Sequence, residues 1–139
     1  MKTAVLSLVF LLTTIFSQAQ EANGVTITVT IDNVTSDTGM VIASVHTSET
    51  FMRGPGILNS ESDIKDGKVT LTFENVKPGT YAIMAMHDAN NNKQMDFEAN
   101  GMPKESYGMS GNDMTMGPPS FDSAKFEVTE DDLQFNIRF

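Results

Sequence analysis

The pattern of apolar and polar positions is dominated by alternation with period two. Val25, Ile27, Val29 and Ile31 alternate with threonines, which predicts a half-buried strand over residues 25–31. Asp37-Thr-Gly39 is a turn signal, and residues 40–46 follow as a second strand. Val41, Ala43 and Val45 fall on one face of it, and Met40, Ile42, Ser44 and His46 on the other. Residues 48–66 read as an irregular connection carrying Gly54-Pro55-Gly56. Asp66-Gly67 is a hairpin-type turn into a strand over 68–76, with Val69, Leu71 and Phe73 on one face. Pro78-Gly79 marks another turn. Residues 80–87 contain few polar side chains, so they are expected to form a central strand buried on both faces. Residues 88–120 read as one long loop region. Residues 121–128 and 133–139 are the last two strands expected.

Short alternating strands without an amphipathic helix predict a single all-β domain, an antiparallel β-sandwich of about seven strands. A long loop follows its central strand. Structureless loops longer than about 15 residues are uncommon in compact domains unless they carry function or are ordered by a ligand. The loop after residue 87 is therefore the first place to look for chemistry.

The N-terminus does not fit this pattern. Lys2 precedes an apolar stretch at 4–16 broken only by Ser7, Thr13 and Thr14, and Ser17-Gln-Ala19 supplies small residues for cleavage. That is the form of a secretory signal peptide over residues 1–19. The stretch is shorter than the roughly 20 residues of a membrane span, so no transmembrane anchor is expected. The working domain is then residues 20–139, secreted or periplasmic. No cysteine is present, so no disulfide staples it. Loss of Lys2 leaves 8 basic against 18 acidic side chains. Such an acidic surface argues against nucleic acid and favours cations.

Asp88, Asn90, Asn92 and Asp96 place oxygen side chains at relative positions 1, 3, 5 and 9, with Gln94 at position 7 offering its carbonyl. Calcium loops use this spacing, because a tightly turning chain points alternate residues inward at a hard cation. Position 6 is Lys93 rather than Gly, and position 12 is Ala99 rather than Glu. The competing reading is an Asx-rich turn whose side chains cap their own backbone. His46 and His87 are the only histidines. With Asp88 they would suit a metal-dependent hydrolase if folding brought them together; otherwise they are packed strand residues. Met109, Met114 and Met116 could handle Cu(I) through their thioethers, or fill gaps under a loop. There is no Gly-x-Ser-x-Gly elbow and no phosphate-cradling glycine loop.

Several runs resemble known families. Residues 75–83, with Pro78-Gly79-Thr-Tyr81, resemble the strand start of transthyretin-like and carboxypeptidase-regulatory-like sandwiches, an immunoglobulin-like arrangement. The longer series is Gly79-Thr-Tyr-Ala82, His87-Asp88-x-Asn90-x-Asn92 to Asp96, Gly101-Met-Pro103-Lys-Glu105-Ser-Tyr-Gly108, then Pro118-Pro-Ser-Phe-Asp122-Ser-Ala124. Its order resembles the bacterial exported family called domain of unknown function 2141, across essentially the whole mature chain. That family shows an aromatic and Ser-Asn after Tyr-Gly; here Met109-Ser-Gly stands instead, which implies that Met109 takes an aromatic's packing position. Hydroxyisourate hydrolases share the transthyretin-like sandwich but use several His, an Arg and a terminal Tyr-Arg-Gly-Ser, which Phe135-Asn-Ile-Arg-Phe139 does not match. The resemblance implies an exported transthyretin-like sandwich and supplies no activity to carry over. The expectation is a non-catalytic envelope module with calcium at Asp88, Asn90, Asn92, Gln94 and Asp96, whose partner is an envelope protein or glycan. The stretch 101–105 is expected to pack beside the ordered loop.

Overall fold

The computed structural model describes residues 24–113 and 117–139. Residues 1–19, read above as a signal peptide, and Met114 and Met116 lie outside them. Among the described residues, eight strands and one short helix run in the order β1 (Val25–Ile31), β2 (Met40–His46), β3 (Leu58–Asp63), β4 (Val69–Val76), β5 (Gly79–Asp88), β6 (Tyr107–Met109), α1 (Phe121–Ala124), β7 (Phe126–Val128) and β8 (Leu133–Asn136). They form a smaller sheet in the order β4-β1-β8 and a larger one in the order β3-β2-β5-β6, with β7 also pairing β5.

The inward face of each sheet is the apolar half of an alternating strand. Ile27, Val29 and Ile31 from β1 and Leu71 and Phe73 from β4 meet Val41, Ala43 and Val45 from β2 and Ile83 and Ala85 from β5. The threonines of β1 and β4 stay half-buried or exposed. This is the sandwich that the alternation predicts.

Four details differ from that expectation. Residues 58–63 form β3, an edge strand antiparallel to β2. Its sequence, Leu-Asn-Ser-Glu-Ser-Asp, has one strong apolar residue, so its pairing comes from the neighbour rather than from its own propensity. Residues 107–109 within the long loop form β6, antiparallel to β5. Residues 121–124 are helical rather than extended, because the Ser120 hydroxyl caps the turn by accepting the Ser123 N–H at 3.2 Å. Finally, β8 pairs parallel to β1, from Ile27–Leu133 to Thr30–Asn136. Parallel pairing is slightly weaker per residue. The return path buries Ile137 completely, and full burial of such a side chain contributes about 1.5–3 kcal/mol. Burial outweighs the deficit.

Gly39 sets how β2 meets the end of β5. Its φ is +79°, and a Cβ there would lie 2.0 Å from the Asp88 carbonyl oxygen. Gly39→Ala is expected to destabilise the protein by more than the roughly 1–3 kcal/mol of the backbone conformation alone. A urea melt checks this; a midpoint equal to wild type would contradict the close approach.

Candidate functional site

The outward face of the larger sheet carries the second half of each strand's alternation. Ser44 lies opposite Met84, which lies opposite Met109; Ile42 lies opposite Met86, which lies opposite Tyr107. Two structures cover the ends of this face. At one end Phe51, Ala82, Met109 and Ala124 form a small second core with Phe121. Ser110 ties it to β5: its hydroxyl accepts the Ile83 N–H at 2.9 Å and donates to the Ala124 carbonyl at 2.6 Å. At the other end stands a tongue formed by residues 96–104.

The tongue grows out of the Asx-rich loop. Asp88 is fully buried. Its two carboxylate oxygens accept the N–H groups of Asn92, at 3.1 Å, and Lys93, at 2.8 Å. Asn91 and Lys93 take φ of 57° and 61°. Lys93 thus adopts the left-handed conformation that glycine supplies in calcium loops, and its ammonium meets Glu61 on β3 at 3.0 Å. Asn90 and Asn92 both donate side-chain N–H groups to Asp96 Oδ2, at 2.8 and 2.9 Å. Gln94 contributes its N–H to Asn92 Oδ1 at 2.9 Å. Asp88, Asn90, Asn92 and Asp96 are therefore drawn into one hydrogen-bonded turn. Among the described residues, no three His, Cys, Asp or Glu side chains group as a metal site.

Beyond Asp96 the chain folds back on itself. The Asp96 N–H donates to Glu105 Oε2 at 2.8 Å, and its carbonyl accepts the Lys104 N–H at 2.8 Å. Phe97 pairs with Pro103, and Glu98 and Met102 bond across the tip at 2.7 Å. Residues 101–105 thus pack beside the loop as its returning arm. The polar side of this arrangement is satisfied internally, which leaves its apolar side free. Phe97 and Met102 are 57% and 61% exposed.

Between the tongue and the second core lies a cavity of about 920 Å³. Its floor is Ile42, Ser44, Met84 and Met86, and its walls are the tongue on one side and Met52 with Gly117–Pro119 on the other. Met95 and Met102 bring the methionines lining it to five of the chain's ten. The lining is almost wholly apolar. Central strand β5 is therefore not buried on both faces by a second layer of sheet; its outer methionines, half-buried, form the floor of a cleft. That outer row of Met84 and Met86, facing Ile42, was the signal in the sequence. Alternation alone could not place the tongue opposite it.

The histidines part company. Ile83, Ala85 and His87 alternate onto the core side of β5, and His87 Nε2 lies 2.7 Å from the Thr38 carbonyl. His46 pairs with Ala82, on the outward face. Asp88 lies opposite Met40 at the far end of the same strand pair, six residues or about 20 Å from that position. The structure does not bring His46, His87 and Asp88 together. Met109, buried in the second core, occupies a packing position.

His46 borders the cavity and sits edge-on to Phe51, with ring centroids 5.9 Å apart. Burial lowers its pKa below the ordinary 6.5, opposed by a hydrogen bond from the ring to the Thr50 backbone.

Residues 29–136 match the bacterial family described as "Uncharacterized protein conserved in bacteria (DUF2141)". The chain belongs to that family. No curated protein and no solved structure matches it.

The depressed His46 pKa has a consequence for stability. The unfolded chain takes up a proton near pH 6.5, whereas the folded imidazole resists it. Stability is fully present above that value and is expected to fall as pH drops from 6.5 through the folded pKa. Urea melts at about pH 7.5 and about pH 5.5 read this out. His46→Leu should flatten the difference; an unchanged slope in that variant would assign the effect elsewhere.

Proposed function

We propose that this protein is an exported, non-catalytic binding module whose ligand is a small apolar molecule held in the cleft between the tongue and the second core. The cleft itself carries this reading. Ligand sites of roughly 300–1,000 Å³ are typically lined by apolar side chains with a few polar groups, and about 920 Å³ lies within that range. The polar groups here are the Ser44 hydroxyl, His46 and the Tyr107 phenol. Methionine thioethers adapt their shape to an occupant, which suits ligands of variable form. Export rests on the residue 1–19 signal in the sequence.

The neutral fluorophore N-phenyl-1-naphthylamine tests the reading. Its emission should rise saturably with one site per chain. Met86→Asp places a carboxylate in the floor and should weaken binding by more than about tenfold, with thermal melting used to verify that the variant is folded. Absence of saturable binding to the wild type would refute the apolar site.

A second reading concerns calcium at the 88–96 loop, supported by the convergence of Asp88, Asn90 and Asn92 with Asp96. Turning either asparagine amide by 180° would aim its oxygen, rather than its nitrogen, at the space beside Asp96. The two carboxylates and the Gln94 carbonyl complete a modest oxygen set, in keeping with the roughly 10⁻⁴–10⁻³ M affinities of extracellular modules. Calcium would then brace the base of the tongue. Millimolar calcium should raise the melting temperature by mass action, and Asp96→Asn should remove the rise. An equal rise with magnesium, or none with calcium, would discard this reading.

A further inference from the structure

Building on the apolar-ligand reading, we infer that the occupant is a single-chain amphiphile with a carboxylate head: the chain lies in the cleft, and the head lies in a smaller hollow beside it, against Lys104. The hollow, about 340 Å³, shares Met102, Pro103 and Tyr107 with the cleft. Both spaces therefore border the returning arm of the tongue. Their chemistry differs sharply. The cleft is lined by thioethers and rings, whereas the hollow adds Lys104, Glu105, Ser106 and Phe139.

The charges select the head. Among the described residues the Lys104 ammonium forms no ion pair. Glu105, the acidic neighbour, already accepts the Asp96 N–H at 2.8 Å. Among the described residues Lys104 is the one Lys or Arg that lines either space, in a chain of formal net charge −9. One ammonium matches one negative charge. The surrounding acidic field opposes a dianionic head such as a phosphate monoester, which favours a carboxylate. The flexible methionine lining suits an alkyl chain, whose many conformers need a wall that adapts. A cationic head would be repelled by Lys104.

The test uses the full mature chain and displacement of bound N-phenyl-1-naphthylamine by palmitate, hexadecanol and hexadecylamine. Palmitate should displace the probe at about two- to fivefold lower concentration than hexadecanol, the scale of one exposed charge pair, and hexadecylamine should be the weakest. Lys104→Gln should bring palmitate and hexadecanol to parity. Lys68→Gln makes the same change in net charge just before the smaller sheet's β4, and should leave the preference intact. Equal displacement by palmitate and hexadecanol in wild type would overturn the carboxylate while leaving the apolar site standing. A preference that survives Lys104→Gln, or is lost equally in Lys68→Gln, would overturn the placement of the head. A probe that never binds would overturn the apolar site and this inference together.

Discussion

Asp88 ends β5 with its carboxylate completely buried, and its two oxygens hold the N–H groups of Asn92 and Lys93. A buried carboxylate is costly unless it is hydrogen-bonded. Each bond to a charged acceptor contributes about 1.5–3 kcal/mol, so the loop must bend back toward β5 for Asp88 to be satisfied. That bend needs left-handed residues, which Asn91 and Lys93 provide. It delivers Asp96 to Asn90 and Asn92, and from Asp96 the tongue is built. Gly39 leaves room for the Asp88 backbone to approach β2. The wall of the cleft thus depends on an anchor that does not itself line the cleft.

The same polypeptide stretch does two jobs because its polarity is segregated. Residues 88–96 spend their side-chain oxygens on backbone and amide N–H groups. Residues 95–103 are then free to present Met95, Phe97 and Met102 to the sheet. An apolar surface of this kind would collapse against any nearby core if its backbone were slack. The crossed bonds between Asp96 and residues 104 and 105 keep it standing off the floor.

Strands with clean alternation were legible in the sequence, because Val25 through Ile31 or Val69 through Phe73 can bury only one face. The two-sheet core follows from them. The edge strand β3 was not legible: Asn59, Ser60, Glu61 and Ser62 have no intrinsic pull toward strand, and pairing with β2 decides their state. The start of α1 was masked by Phe121 and Phe126, which read as strand residues until the Ser120 cap is considered. The loop at 88–96 stood out by its spacing, and its internal convergence fits that spacing. The cleft did not stand out, since it joins Met84 and Met86 to Met95 and Met102 across a fold-back governed by Asp96 and Glu105. Such a junction has no periodicity to read.

The parallel pairing of β1 with β8 also governs when the molecule can form. Ile27 meets Leu133, and the Thr26 N–H meets Asp132 across 106 positions. Contacts at that separation close late, because the loop entropy must be overcome before they contribute. β1 has β4 as an early neighbour, but its other edge stays open until residues 133–136 are available. During synthesis, that threonine-studded edge is a surface on which another chain could add a strand. The last strand is therefore also the cover that ends this exposure.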